Sequence, residues 1–598
     1  MHGASDLIAR WPALELSAKR ARLQNTLRLT PGPLAKALGA IAPEAESALV
    51  GLWRRDPSVW GADRATQQKI ASRLGWLNSP ALMADSLERL HRFAESVKAD
   101  GFTDVVLLGM GGSSLAPEVL RGVLGAATGW PRLHVLDSTD PDAIRAAATP
   151  PEHTLYLLSS KSGTTIEPDV LASHFRRTLE DAGVQSWARH FAAITDEGTD
   201  LARRARTEGF RDVFINPADI GGRYSALSFF GFVPAALMGL DIAALLGWGL
   251  AMLADSESDD DEDATNPSVL LGLAIAGAAL AGRDKLTLLL PPALEPFGLW
   301  VEQLVAESTG KQDTGIVPVA GEPLAEPSAY SDDRFFVRLR LHGSYAEKAR
   351  DADIDELKAA GHPVAEIELA EPAALGAEFV RWEVATAIVG ALLHVNPFDE
   401  PNVQQAKDAT RTLLDRYKSD GRLPIPSPDR TTADGAALTL SGAARRQLGG
   451  LSAEALLTLI RPGDYFALLA YAGPDQELAD ELRIFRLAVL ERTHAATTFG
   501  YGPRYLHSTG QLHKGGPNTG VFLLLTSAPR ADLTIPGEGF SFGTLELAQA
   551  LGDFASLDAL GRRALHVHLP SPDRQLIHEL AGALLLRLRE NGHTQDRL

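Results

Sequence analysis

The chain reads as an α/β protein built on parallel sheets in more than one lobe, and three observations carry that reading. From Asp104 onward, short runs rich in Val, Leu and Ile ("DVVLLGM", "LHVLDST", "TLYLLSS", "FAAITD" and "VFINP") alternate with helical stretches of ordinary crossover length. A second set of runs ("KLTLLLP", "FFVRLRL", "VAEIEL") and a third ("DYFALLAYA", "GVFLLLTS", "ALHVHLP") repeat the pattern further along. With 598 residues and 45% hydrophobic composition, the chain exceeds what one core can cover, since single cores stop growing near roughly 250 to 300 residues.

Taken in order, residues 1–75 read as an amphipathic helical arm with Trp and Leu on one face and charge on the other. Residues 76–254 form a first α/β domain, and the acidic run "DSESDDDED" reads as a solvated linker at 255–266, without the glycine and spacing of a calcium loop. A second α/β domain covers 267–418. After the linker-like "KSDGRLPIPSPDRTTADG", residues 430–598 make a C-terminal α/β domain. The longest apolar run, "FFGFVPAALMGLDIAALLGWGLAMLA", is interrupted by Pro234 and Asp241, so it reads as buried helices and not as a membrane span.

Charge and composition narrow the function. There are 57 basic and 76 acidic residues, a net charge of −19, and no Lys/Arg stripe of the kind that nucleic acid requires. The absence of cysteine removes disulfides, thiolate nucleophiles and Cys-ligated metals together. The first twenty residues, "MHGASDLIARWPALELSAKR", lack the apolar core of a signal peptide, and the cytoplasm is the expected location.

Two strand-to-helix turns suggest a phosphate site. In "LLGMGGSSLAPEVL" a buried strand ends in Gly109, Gly111, Gly112, Ser113 and Ser114. In "LYLLSSKSGTTIEPDVL" the corresponding turn holds Ser160, Lys161, Ser162, Thr164 and Thr165. Unpaired backbone N–H groups at helix starts, joined by hydroxyls and one ammonium, suit the oxygens of a phosphomonoester. Neither loop has the Gly-Lys-Ser/Thr ending of a P-loop or the dinucleotide spacing.

These motifs carry a resemblance. "GMGGSSL" followed by "SSKSGTT" resembles the sugar isomerase (SIS) domain, which implies flavodoxin-like parallel-sheet lobes that bind phosphosugars. "IGGRYSALSFFG", "AESTGK" and "NPFDEPNVQQAK" are similar, in family order, to three signatures of phosphoglucose isomerases, over about residues 75 to 415. The resemblance implies reversible isomerisation of glucose 6-phosphate and fructose 6-phosphate through an enediolate, in glycolysis and gluconeogenesis, with no metal and no cofactor. It leaves two alternatives: a dual phosphoglucose/phosphomannose isomerase, and a non-catalytic phosphosugar-binding regulator.

Residue by residue, Glu307 is the implied base, expected in a Gly/Ser/Thr-rich loop after the apolar helix "GLWVEQLVA", with Glu302 as the ordinary carboxylate one turn earlier. Arg223, after two glycines, is the implied cation beside the enediolate oxygens. Lys407 is the implied substrate-binding and ring-opening helper. Its motif carries Glu400 where the family usually has glutamine and Gln404 where it has glutamate, an apparent exchange.

The family's ring-opening histidine is expected between the glutamate and the lysine, yet His342 and His362 there do not fit its motif. In bacterial members that motif reads leucine, histidine, serine, any residue, glycine, glutamine. Leu506 to Gln511, in "YLHSTGQLHKGGP", match it, so His507 takes the role, with His513 and Lys514 as additional ligand or phosphate contacts. A pair of histidines without a nearby carboxylate is a poor zinc site. This order and tail are similar to the isomerase half of bifunctional transaldolase/phosphoglucose isomerases. No transaldolase barrel precedes Met1, so that activity is expected to be missing. Expected partners are a small phosphosugar and neither nucleic acid nor membrane, with a homodimer and an association with a transaldolase part left open.

Overall fold

The computed structural model describes residues 4–257, 266–343, 350–473 and 475–595. The chain folds as two compact units: Met1–Asp137, Ala147–Thr309 and Phe335–Asp399 form the first, and Ser138–Ala146, Gly310–Arg334 and Glu400–Leu598 the second. Of the expected acidic linker, positions 258–265 lie outside the described residues, while Asp255 to Glu257 end the helix Ile242–Glu257.

In the first unit the five runs beginning at Asp104 all form strands, parallel throughout. Their order across the sheet is Arg132–Leu136, Asp104–Leu108, Thr154–Ser159, Phe191–Asp196, Val213–Asn216. Numbered along the chain this is 2-1-3-4-5, the flavodoxin-like order, whose topological switch point lies between its first and third strands. Every residue of Asp104–Leu108 and Thr154–Ser159 is buried, as a parallel strand covered on both faces requires. That double burial is why the stretches 105–108 and 155–158 are continuously apolar and not alternating.

A second sheet in this unit carries Leu27–Thr30, Val364–Leu369, Arg334–Leu341 and Lys285–Leu289 in that order. Val364–Leu369 and Arg334–Leu341 are parallel, whereas Leu27–Thr30 runs antiparallel, with Leu27 opposite Ile367. The arm is therefore not purely helical: "LRLT" leaves the helices Leu16–Leu23 and Ala35–Trp53 to close a sheet edge. The long apolar run forms the helices Phe229–Leu237 and Ile242–Glu257, both mostly buried. Among the described residues no helix is long and apolar enough to cross a membrane.

The second unit holds a six-stranded sheet, ordered Arg430–Thr431, Ala437–Leu440, Arg563–Leu569, Gly520–Ser527, Tyr465–Tyr471, Ala496–Tyr501. The last four are mutually parallel, and in chain order they again run 2-1-3-4 when read from the Ala496–Tyr501 edge. Ala437–Leu440 pairs antiparallel on the outer side. Phe466, Leu468 and Ala470, with Val521, Leu523 and Leu525, point every second residue into one core with Leu565 and Val567. Each fully buried Leu or Phe contributes roughly 1.5–3 kcal/mol, so this sheet has a core of its own.

Candidate active site

The two hydroxyl-bearing loops follow the first and third strands of the first sheet, one on each side of its switch point. In the first loop, Gly112 meets the Gly222 backbone so closely that any Cβ at 112 would collide with the Gly222 carbonyl. Ser114 is turned inward, its hydroxyl donating to Asp137 Oδ2 at 3.1 Å, and Ser113 is also buried. In the second loop Gly163 adopts φ +65°, a left-handed conformation that lets the chain double back at no steric cost. Ser160 Oγ lies 3.1 Å from Thr165 Oγ1 and accepts from Gly163 N at 3.2 Å. Ser162 and Thr164 remain exposed, their hydroxyls 3.1 Å apart. Thr165 stands before the helix Ile166–Asp181 without a side-chain cap bond, so the first N–H groups of that helix are not closed off by it.

Lys161 does not project freely. Its ammonium pairs with Asp196 and donates to the Ala218 carbonyl at 3.0 Å. Burial pushes the Asp196 carboxyl above the ordinary carboxylate range, and Lys161 is the strongest influence opposing that shift.

Gly222 leads directly into Arg223, which is 3% exposed and held from several sides. Its Nε donates to Ser308 Oγ at 2.9 Å, and one terminal nitrogen, Nη2, donates to the carbonyls of Pro397 and Asp399 at 2.8 Å each. The remaining nitrogen lies 3.3 Å from Glu307 Oε2, to which Gln303 also donates at 3.4 Å. A planar guanidinium with its donors spent on fixed carbonyls has little rotational freedom. Arg223 thus reaches Glu307 as a preorganised cation.

Glu307 itself corrects one expectation. It sits inside the helix Glu295–Thr309, in its last turn and not in the following loop. The helix runs on through "EST" to Thr309, whose hydroxyl donates back to the Val305 carbonyl at 2.8 Å, and the break falls at Gly310. Burial does not distinguish the two carboxylates, since Glu302 is 5% and Glu307 6% exposed; Glu307 lies beside the Arg223 guanidinium. Sequence reasoning missed the groups that hold Arg223. Ser308 stands in "AESTGK", and Pro397 and Asp399 stand in "NPFDEPNVQQAK", beside the glutamate and the lysine that mark those motifs.

Lys407, His507, His513 and Lys514 belong to the second unit. Lys407 is exposed on the helix Val403–Asp420, where Gln404 donates to Asp408 at 2.8 Å. His507 is half-buried at the end of the turn Arg504–His507. His513 lies inside, against the rings of Tyr465, Tyr505 and Phe522. Burial, reinforced by the charges of Lys514 and Arg562, drives its imidazole well below the usual histidine range, so it stays neutral. Lys514 is equally enclosed, 2.6 Å from Asp553. Both therefore support the loop from within.

The phosphoglucose isomerase family model matches residues 64–319. A glucose-6-phosphate isomerase from Rubrobacter xylanophilus is 30% identical over 444 residues, which is 66% of this chain and 97% of that protein. The chain belongs to the phosphoglucose isomerase family. A second glucose-6-phosphate isomerase, from Synechococcus sp. (strain JA-2-3B'a(2-13)), is 28% identical over 398 residues, covering 57% of this chain and 74% of the relative. Among solved structures, a hypothetical protein from Thermus thermophilus matches with TM-score 0.54 and 27% identity, over 64% of this chain and 99% of that one. The family match at 64–319 takes in both hydroxyl loops, Arg223 and Glu307, and ends before Lys407 and His507.

Proposed function

We propose that this chain interconverts glucose 6-phosphate and fructose 6-phosphate through an enediolate, as a cytoplasmic, cofactor-free step of glycolysis and gluconeogenesis. The observation that supports this most is the first unit's geometry. A buried Arg223–Glu307 pair adjoins, through the Gly112–Gly222 backbone contact, a hydroxyl-lined switch point of flavodoxin-like order.

The loops at Gly112–Ser113 and Ser160–Thr165 hold the phosphate. Glu307 removes the proton from C2 and returns it to C1, while the fixed positive charge of Arg223 stabilises the oxygens on which negative charge develops. Because the guanidinium is already fixed by carbonyls, it does not reorganise as that charge appears. His507 passes a proton to the ring oxygen as the pyranose opens, and Lys407 assists in binding and opening. The Glu400/Gln404 exchange moves a carboxylate within the lysine motif and conserves its total charge. The test is incubation of the purified chain with fructose 6-phosphate and resolution of the products. Glucose 6-phosphate is the expected product; no turnover would overturn the proposal, and mannose 6-phosphate alongside it would widen the substrate range.

A further inference from the structure

Within the segment that carries His507 lies a buried charge pair that takes no part in the proton transfers proposed above. Lys514 Nζ is 2.6 Å from Asp553 Oδ1, and each side chain is 1% exposed. The other oxygen of the same carboxylate accepts the Tyr505 hydroxyl at 2.7 Å. Asp553 belongs to the helix Phe542–Ala559, whereas Tyr505 and Lys514 stand on either side of His507 in the chain. One carboxylate therefore closes both ends of the segment. Between them Gln511, fully buried, donates to the Gly310 carbonyl and to Asn402 Oδ1, each at 2.8 Å, and accepts from Asn402 N at 2.8 Å. Within this frame His507 keeps partial access to solvent.

A buried ion pair is a poor source of stability, because desolvating two charges consumes most of their attraction and apolar replacements of similar volume are often neutral or better. A single carboxylate with two ties does, however, restrict geometry, and groups that transfer protons lose rate steeply when displaced. We propose that Asp553 is a positioning residue, which by holding Tyr505 and Lys514 together fixes the orientation in which the loop presents His507. The inference rests on the reading that His507 opens the sugar ring.

The test replaces the pair without leaving a lone buried charge, as Asp553→Leu with Lys514→Met in the full chain. The readouts are thermal unfolding, turnover of cyclic glucose 6-phosphate against an acyclic analogue, and the imidazole 1H–15N signals of His507. The double variant is expected to stay folded, to lose roughly ten- to a hundredfold on the cyclic substrate, to change little on the acyclic one, and to show shifted or multiple His507 ring signals. A folded double variant with full cyclic turnover and an unchanged ring spectrum would overturn the proposal, as would equal losses on both substrates. Should the double variant not fold, Tyr505→Phe decides, since it removes only the hydroxyl tie. A smaller loss confined to the cyclic substrate supports the proposal, and wild-type behaviour in rate and spectrum rejects it. His507→Ala in the same assay separates the two readings. If that variant shows no cyclic-selective loss, the ring-opening role fails, while the ring spectra still report whether Asp553 orients the histidine.

Discussion

The first sheet of the first unit and the sheet of the second unit share a strand order, and their switch points are furnished with opposite chemistry. In the first, the strand ends carry glycines and hydroxyls, with Ser162 and Thr164 open to solvent. In the second, the strand Tyr465–Tyr471 leads into Gly473, whose N–H donates to Asp140 Oδ2 at 3.1 Å. The other oxygen of Asp140 accepts from Asp142 N and Ala143 N at 2.8 Å each. The Gly473 N–H, a backbone donor at this strand end, is thus already taken by an internal carboxylate. The surroundings are acidic as well: burial, helped by the charges of Asp140, Asp532 and Asp142, drives the Glu546 carboxyl well above its usual range. A dianion arriving there would meet like charge. Topology supplies a place where ligands tend to bind, and the residues at the strand ends decide whether one does.

The largest effect expected from this contrast lies at the base. Glu307→Gln should lower kcat by at least ~10³, in the range for losing general-base catalysis, and leave phosphosugar affinity nearly unchanged, because the base acts in the transition state and the loops hold ground state and transition state alike. Steady-state kinetics with calorimetric binding checks this, and a variant keeping a tenth of wild-type kcat would remove Glu307 from the role.

Next in size is the contribution of the second unit to chemistry. His507→Ala should cost about 10²-fold on cyclic substrate and far less on an acyclic analogue, the usual scale for one general acid. His513→Ala should not show that preference for the cyclic form. Equal ratios in the two variants would leave His507 a structural residue.

The contrast between the switch points is tested most directly by a matched pair. Lys161→Ala should raise KM for phosphosugar by about tenfold, on the scale of one charge-assisted phosphate contact, with a smaller change in kcat. Asp140→Ala should leave KM alone and cost about 1–2 kcal/mol of stability through lost backbone caps, read from denaturant midpoints. A KM change in the Asp140 variant would show that the second switch point also sees substrate.

A separate effect concerns pH. Burial, with His568 as a secondary influence, lowers the His566 imidazole to about 3. Between that value and the unfolded value of about 6.5, the unfolded chain binds a proton that the folded chain refuses. Stability therefore falls as pH drops through this window, by up to ~1.4 kcal/mol per pH unit for one such group. His566→Gln should flatten the decline between about pH 6.5 and about pH 5 in urea titrations, and an unchanged slope would exclude His566 as a source.

The apolar parallel strands were legible because double burial writes itself as unbroken Val/Leu/Ile runs, as in "DVVLL" and "TLYLLS". Other strands lack that mark. "ATTFGY" at Ala496–Tyr501 is half polar and owes its form to pairing with Tyr465–Tyr471, and "ALTL" at Ala437–Leu440 owes its form to a strand more than a hundred residues later. Both depend on partners that no local pattern specifies. At the candidate site, the identities of Arg223 and Glu307 stood in short motifs, but their environment did not. Whether a glutamate after "EQLVA" ends a helix or begins a loop depends on the packing of that last turn, whose residues Ala306 to Thr309 are all buried. That Lys514 is enclosed with Asp553 depends on two segments apart in sequence.

The antiparallel strand Leu27–Thr30 has a consequence for synthesis. Its partner, Val364–Leu369, leaves the ribosome long after it, and at roughly 5–20 residues per second the interval is on the order of tens of seconds. Throughout that time "LRLT" has no sheet to join, and once the sheet forms its edge stays open until this early segment is recruited. Shortening the wait, by translating the stretch between Thr30 and Val364 on fast codons, should raise the soluble yield.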